Sequence, residues 1–159
     1  MSNEDCEEDW KDDEERDVHA CIRDKDTEKE IRVSTIRDAD YERFIDFRVY
    51  NPSLKGYGEG ITIHIMELHD FLEVIGDVVW QRKQRGRIEY HPRVYMADGM
   101  EIHVSTIREG DGERSVVLRE YDVSRKEHGD GLAIPVGLLD AFYNGVTDAW
   151  HANGSGDWY

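Results

Sequence analysis

Lysine, proline and cysteine are scarce in this chain: 6 Lys against 14 Arg, 3 Pro and 2 Cys among 159 residues. The cysteines, Cys6 in a polar stretch and Cys21 in a strand-like one, form neither a disulfide framework nor a zinc motif and read as reduced and incidental. No apolar run is long enough to span a bilayer, and the first residues are acidic rather than basic and then apolar. Neither a membrane span nor a secretory signal is read, and a cytoplasmic protein is expected. The glycine-bearing loops KGYGEG and KEHGDG lead into strands, not into a helix N-terminus with Walker spacing, so they read as turns. The seven histidines show no HExxH arrangement or other ligand spacing, and no Gly-flanked nucleophile occurs. The reading is therefore a protein without catalytic residues, metal or cofactor.

Acid is what the chain has in excess. Nineteen Asp and 17 Glu give a formal net charge of −16, a bias that resembles proteins of salt-loving archaea. At molar salt the Debye length is about 3 Å, so net charge would say little about partners and local contacts would decide. Residues 1–16, MSNEDCEEDWKDDEER, hold nine acids without apolar periodicity and read as a disordered acidic tail. Such a tail serves solubility, or imitates nucleic-acid phosphates. Residues 153–159 read as a flexible C-terminus, with Trp158 and Tyr159 as residues that could dock on the body.

The stretch VSTIR occurs at Val33–Arg37 and again at Val104–Arg108. Sliding the chain against itself by 71 residues without gaps gives 20 identities between residues 30–80 and 101–151, so the chain is an internal duplication. Apolar residues at Leu68, Phe71, Leu72, Ile75, Val78 and Val79, and at Leu139, Phe142, Tyr143, Val146, Ala149 and Trp150, have helical spacing. Alternation in GITIHI, RFIDFRVY and EIRVSTIR predicts strands, with a fourth ahead of them, most clearly RIEYHPRVYM before the turn Asp98-Gly99. Pro135 marks one strand as an edge. The expected fold is α+β: two tandem ββββα repeats, residues 17–81 and 88–152, joined by a basic linker at 82–87. Each repeat is near the lower limit for burying an adequate core alone, so the two are expected to share one.

This pattern resembles the PUR repeat of purine-rich-element-binding proteins, which share a fold superfamily with positive cofactor four and the plant Whirly proteins. The nearest local echo is GITIHIMELHDFLEVIGDVV, where Ile75, Gly76, Asp77, Val78 and Val79 match the family's apolar-Gly-Asp-apolar-apolar helix segment. The resemblance implies packed helices, curved antiparallel sheets that bind single-stranded DNA or RNA, and a built-in pseudo-dimer capable of further pairing. Basic segments near the strands contribute to such binding in the family, whose lysine-rich strand pattern is missing here.

Subtracting the helix-packed face of each strand leaves an outer face that mixes arginine with aromatic residues. Its candidates are Arg32, Phe44, Arg48 and Tyr50 in copy one and Arg93, Tyr95, His103, Arg119 and Tyr121 in copy two. Aromatic and guanidinium planes stack on bases and cations track phosphates, the mixture a single-strand binder needs. Arg48/Arg119 and Tyr50/Tyr121 are identical between copies; a structural origin as cross-strand partners is the competing explanation. Arg82, Lys83, Arg85 and Arg87 form the one cationic cluster, read either as a phosphate clamp or as charge complementing a helix C-terminus. The expected function is non-catalytic single-stranded DNA or RNA binding, serving transcription, replication or repair. The alternative is a protein-interaction or dimerisation module, or an acidic nucleic-acid mimic, that kept the fold without binding nucleic acid.

Overall fold

The alternating apolar residues become strands and the three-four spaced ones become helices, in the expected order, in a computed structural model of the chain. It describes residues 15–88, 91–96, 99–110 and 112–154. Repeat one contains β1 (Glu15–Arg23), β2 (Glu30–Arg37), β3 (Arg43–Asn51), β4 (Gly56–His64) and α1 (Leu68–Arg85). Repeat two contains β5 (Arg93–Tyr95), β6 (Met100–Glu109), β7 (Gly112–Asp122), β8 (Glu127–Pro135) and α2 (Leu139–Ala152). Each repeat is a four-stranded antiparallel sheet in sequential order, followed by a single turn of 3-10 helix and then the α-helix. The fold is thus α+β with two ββββα repeats. Pro135 sits at the end of edge strand β8, a position where proline is tolerated.

Two boundaries differ from expectation, the first being that β1 begins at Glu15, inside the stretch 1–16 read as a disordered tail. Arg82, Lys83 and Arg85 are not linker residues but the last turn of α1, which ends at Gly86 in the left-handed region (φ 72°), its N–H bonded to the Arg82 carbonyl at 2.8 Å. Straight-chain cations are good helix formers and favour a helix C-terminus, so nothing stops the helix before glycine does. Cys21, buried in β1, is disulfide-bonded, which corrects its reading as a reduced thiol. The acidic tail up to residue 14, Asp98 of the proposed turn, and Trp158 and Tyr159 lie outside the described residues; Gly99 of that turn has φ 74°.

The two repeats share one apolar core through an exchange of helices. α2 lies across β1 and β2 of the other repeat, α1 reaches β5, and the helices touch each other. Gly145 makes this possible. A Cβ there would stand 2.9 Å from the Ala20 Cβ and 3.3 Å from Val33 Cγ2, so only glycine lets α2 settle on sheet one at this depth. Glycine in a helix costs about 1 kcal/mol relative to alanine, a penalty offset by the closer packing. At the centre, Phe47 of sheet one stacks on Phe71 of α1 at 4.6 Å and meets Phe142 of α2 at 5.6 Å, all three fully buried. The end of α2 is pinned by Asn153, which accepts from Arg43 and donates to Thr35, whose hydroxyl also meets the His19 ring at 2.6 Å.

Because Phe142 belongs to repeat two and packs on repeat one, Phe142→Ala is expected to lower stability by about 3–5 kcal/mol in a single urea transition; two separate transitions would contradict a shared core. Burial lowers the His19 pKa from its usual 6.5, against the opposing effects of Asp17 and Asp148. The unfolded chain then takes up a proton at His19 before the folded one does, so the stability associated with neutral His19 is present above pH 6.5 and lost as pH falls below it. Urea unfolding is expected to show that loss in wild type and a weaker one in His19→Gln; equal pH dependence in both would contradict it.

Candidate nucleic-acid interface

Sheet register places the outer-face residues of repeat two in two rows. Cα partners Arg93, His103 and Arg119 cross β5, β6 and β7 as a cationic and titratable row that ends at Gly131 on β8. The next row on the same face is Tyr95, Glu101, Tyr121 and His128. Neighbouring strands are about 4.8 Å apart and alternate residues along a strand about 6.7 Å apart, so cations and aromatic rings lie side by side over a flat patch. Tyr95 is 71% exposed and Ile107, further along the face, 46%. His103 stacks on Tyr121 at 4.3 Å with 22° between planes, and His128 packs on the same tyrosine at 4.8 Å. Glu101 is the acid of the patch, and it is paired, with His103 at 2.8 Å and Arg93 at 3.5 Å. Arg119 is exposed, and no carboxylate among the described residues pairs with it.

The equivalent face of repeat one is occupied by its own side chains. Arg32 and Tyr50 are buried, 1% and 2% exposed, with the guanidinium 3.5 Å from the tyrosine ring centroid and its Nε donating to Glu30 at 3.1 Å. Burial alone would lower the Arg32 pKa, but hydrogen bonds with Tyr57 and Glu30 outweigh it and hold it above its usual value, so Arg32 is a fixed cation. Asp46, also buried, accepts from Arg16 at 2.9 Å, Thr62 at 2.8 Å and Arg48 at 3.1 Å. Arg48 also donates to the Gly58 carbonyl at 3.0 Å. Its charge is therefore neutralised and its planar fork committed, while its repeat counterpart Arg119 keeps both free of an acid. The cause is one residue: Asp46 stands where copy two has Val117.

Of the residues expected at the interface, the structure thus brings Arg93, Tyr95, His103, Arg119 and Tyr121 together on an accessible patch. Arg32, Arg48 and Tyr50 form an internal network on the other sheet. Phe44 stands apart from that network, edge-on to His64 at 5.3 Å. Arg82, Lys83 and Arg85 belong to the helix layer, behind the sheets, where Lys83 pairs with Asp140 of α2 at 3.5 Å; Arg87 follows the helix as an exposed residue. The helix-dipole reading of that cluster fits its position better than a clamp beside the sheets.

Where β4 and β8 meet, a cleft of about 650 Å³ is lined by both Arg48 and Arg119, with Tyr57, Ile107, Val117 and Ala133 among its walls. Glu59 and Asp130 also line it. Glu120 reaches toward Arg48, and its pKa is raised, first by burial and then by Asp130, with Arg48 opposing. The two carboxylates that line it, Glu59 and Asp130, make the cleft a poor seat for phosphate, so the side of the cationic row away from the cleft, at Arg93 and His103, is the better one. His128 is the residue of this patch that sequence reasoning missed. The signal was there at offset 71: Arg32 and Tyr57 change to His103 and His128 around the unchanged pairs Glu30/Glu101 and Tyr50/Tyr121.

No family model matches the chain, and no curated protein is significantly similar to it. Among the described residues no helix is long and apolar enough to cross a membrane.

Removing Asp46 leaves Arg16 and Arg48 without their shared acid on a buried face. Asp46→Ala is expected to cost about 3–5 kcal/mol in chemical denaturation, while Arg119→Ala stays within about 0.5 kcal/mol of wild type. Similar losses at both positions would contradict the difference between the two faces.

Proposed function

We propose that the protein is a non-catalytic binder of single-stranded DNA or RNA and that it uses the outer face of sheet two. The carrying observation is the pair of rows: Arg93, His103 and Arg119 beside Tyr95 and Tyr121, accessible, with the one acid among them already paired. An unpaired single strand offers phosphates along one edge and base planes along the other, which a cationic row next to an aromatic row matches. Duplex DNA stacks its own bases and offers no planes to such a surface. Sheet one, on this reading, is the structural partner: its arginines and tyrosines carry the same ancestral pattern but are spent on Glu30 and Asp46. The resemblance to PUR-repeat proteins supports the same substrate class. The net charge of −16 opposes binding at low salt and ceases to matter near molar salt, where stacking persists while counterion release fades.

Fluorescence anisotropy with labelled single-stranded and duplex oligonucleotides, from low to molar salt, tests the proposal. Single strands are expected to bind better than duplex, and Tyr121→Ala or Tyr95→Ala to weaken binding by about 1–3 kcal/mol, or roughly fivefold to 150-fold, without loss of fold. Arg119→Ala is expected to weaken binding and to reduce its salt dependence. No preference for single strands at any salt would reject the proposal in favour of a protein partner for this face.

A further inference from the structure

We infer that His103 and His128 form a chelating site for a zinc-class divalent cation on sheet two. The two residues are 25 apart in sequence and two strands apart in the sheet, yet His103 Nδ1 and His128 Nε2 face each other at 3.3 Å. Ligand nitrogens at about 2.0–2.1 Å from a tetrahedral ion are themselves roughly 3.3 Å apart, so the pair already has the bite a metal requires. In the metal-free pair a proton bridges these nitrogens, donated by His128 to His103. Moving that proton to His128 Nδ1 frees both lone pairs without changing the charge of either ring, and a turn of the exposed His128 ring directs them from each other toward one ion.

The surroundings fix the tautomer this needs. His103 Nε2 lies 2.8 Å from Glu101 Oε1, so its proton sits on that nitrogen and Nδ1 is left as the acceptor. A carboxylate behind a ligating imidazole orients the ring and raises its basicity. Tyr121 holds both rings from one side. His103 is 19% exposed and His128 is exposed, so the remaining coordination positions open to solvent, where water or an anionic ligand completes them. Arg93 and Arg119 share this face, and their charge disfavours hard cations held by electrostatics alone. Selectivity therefore falls to imidazole-seeking metals such as Zn²⁺.

Comparison of the repeats strengthens the assignment. The same geometry in repeat one carries Arg32 and Tyr57, neither of which is a usual zinc ligand, around the equivalent Glu30 and Tyr50. Both positions are histidine in repeat two, beside the same acid. The exposed His69, Asp70 and Glu73 on α1 also lie close together but have no such buttress.

The test is titration of the full chain with Co²⁺, read by its visible absorption, followed by competition with Zn²⁺. One ion per chain is expected to bind at this site. His103→Ala and His128→Ala are each expected to weaken it at least tenfold, Glu101→Gln by about 10- to 100-fold, and His69→Ala not at all. His128→Gln, at an exposed position, gives the same readout should His103→Ala fail to fold. Equal affinity in wild type and His128→Gln would overturn the assignment, as would a loss confined to His69→Ala. Because the readout is metal binding in the absence of oligonucleotide, it stands or falls separately from the nucleic-acid proposal.

Discussion

The close approach of α2 to the sheet of the other repeat is the constraint from which the rest of the molecule follows. Gly145 against Ala20 and Val33 sets its depth, and Phe142 against Phe47 fills the centre. A four-stranded sheet with one helix has more apolar surface than it can cover alone, and exchanging helices closes both sheets over one core. Each repeat is thereby held to apolar residues on its inner face, as at Phe47/Leu118 and Ile61/Leu132. What remains free to diverge is the outer face, and there the two copies have parted.

The divergence is electrostatic before it is steric. An acid at position 46 gathers Arg16, Arg48 and Thr62 into a buried network, and Glu30 does the same for Arg32. Such a network is satisfied internally and offers little to a ligand. With valine at the corresponding position 117, Arg119 pairs with no carboxylate among the described residues. With histidine in place of Arg32, the side chain stacked on the equivalent tyrosine is 19% exposed rather than 1%. A duplicated scaffold has one copy that stabilises and one that is available.

Much of this was legible in the sequence because duplication doubles the signal. Two copies of the alternation in residues 30–37 and 101–108 fixed the strands, and two copies of the Leu-Phe-Ile/Val spacing fixed the helix starts. The helix C-terminus of α1 was misplaced because its last turn is cationic, a composition equally natural in a linker and at a helix end. Alternation also identified which residues share the outer face, but not whether they are accessible. Period-two patterning says which side of a strand a residue takes; it is silent on whether Arg48 folds onto Asp46 two residues away or points outward. For the His103–His128 pair, offset 71 shows that both positions differ from repeat one, but only register across three strands shows that the two rings meet.

The central claim is that the two outer faces are unequal and that a single strand lies on the second. The most direct measurement is an NMR titration with a short single-stranded oligonucleotide, following backbone amides and aromatic side chains. Shifts concentrated at Arg93, Tyr95, His103, Arg119 and Tyr121, with Arg32, Arg48 and Tyr50 unmoved, are the expected result. Equal shifts on the two sheets, or shifts confined to sheet one, would contradict it.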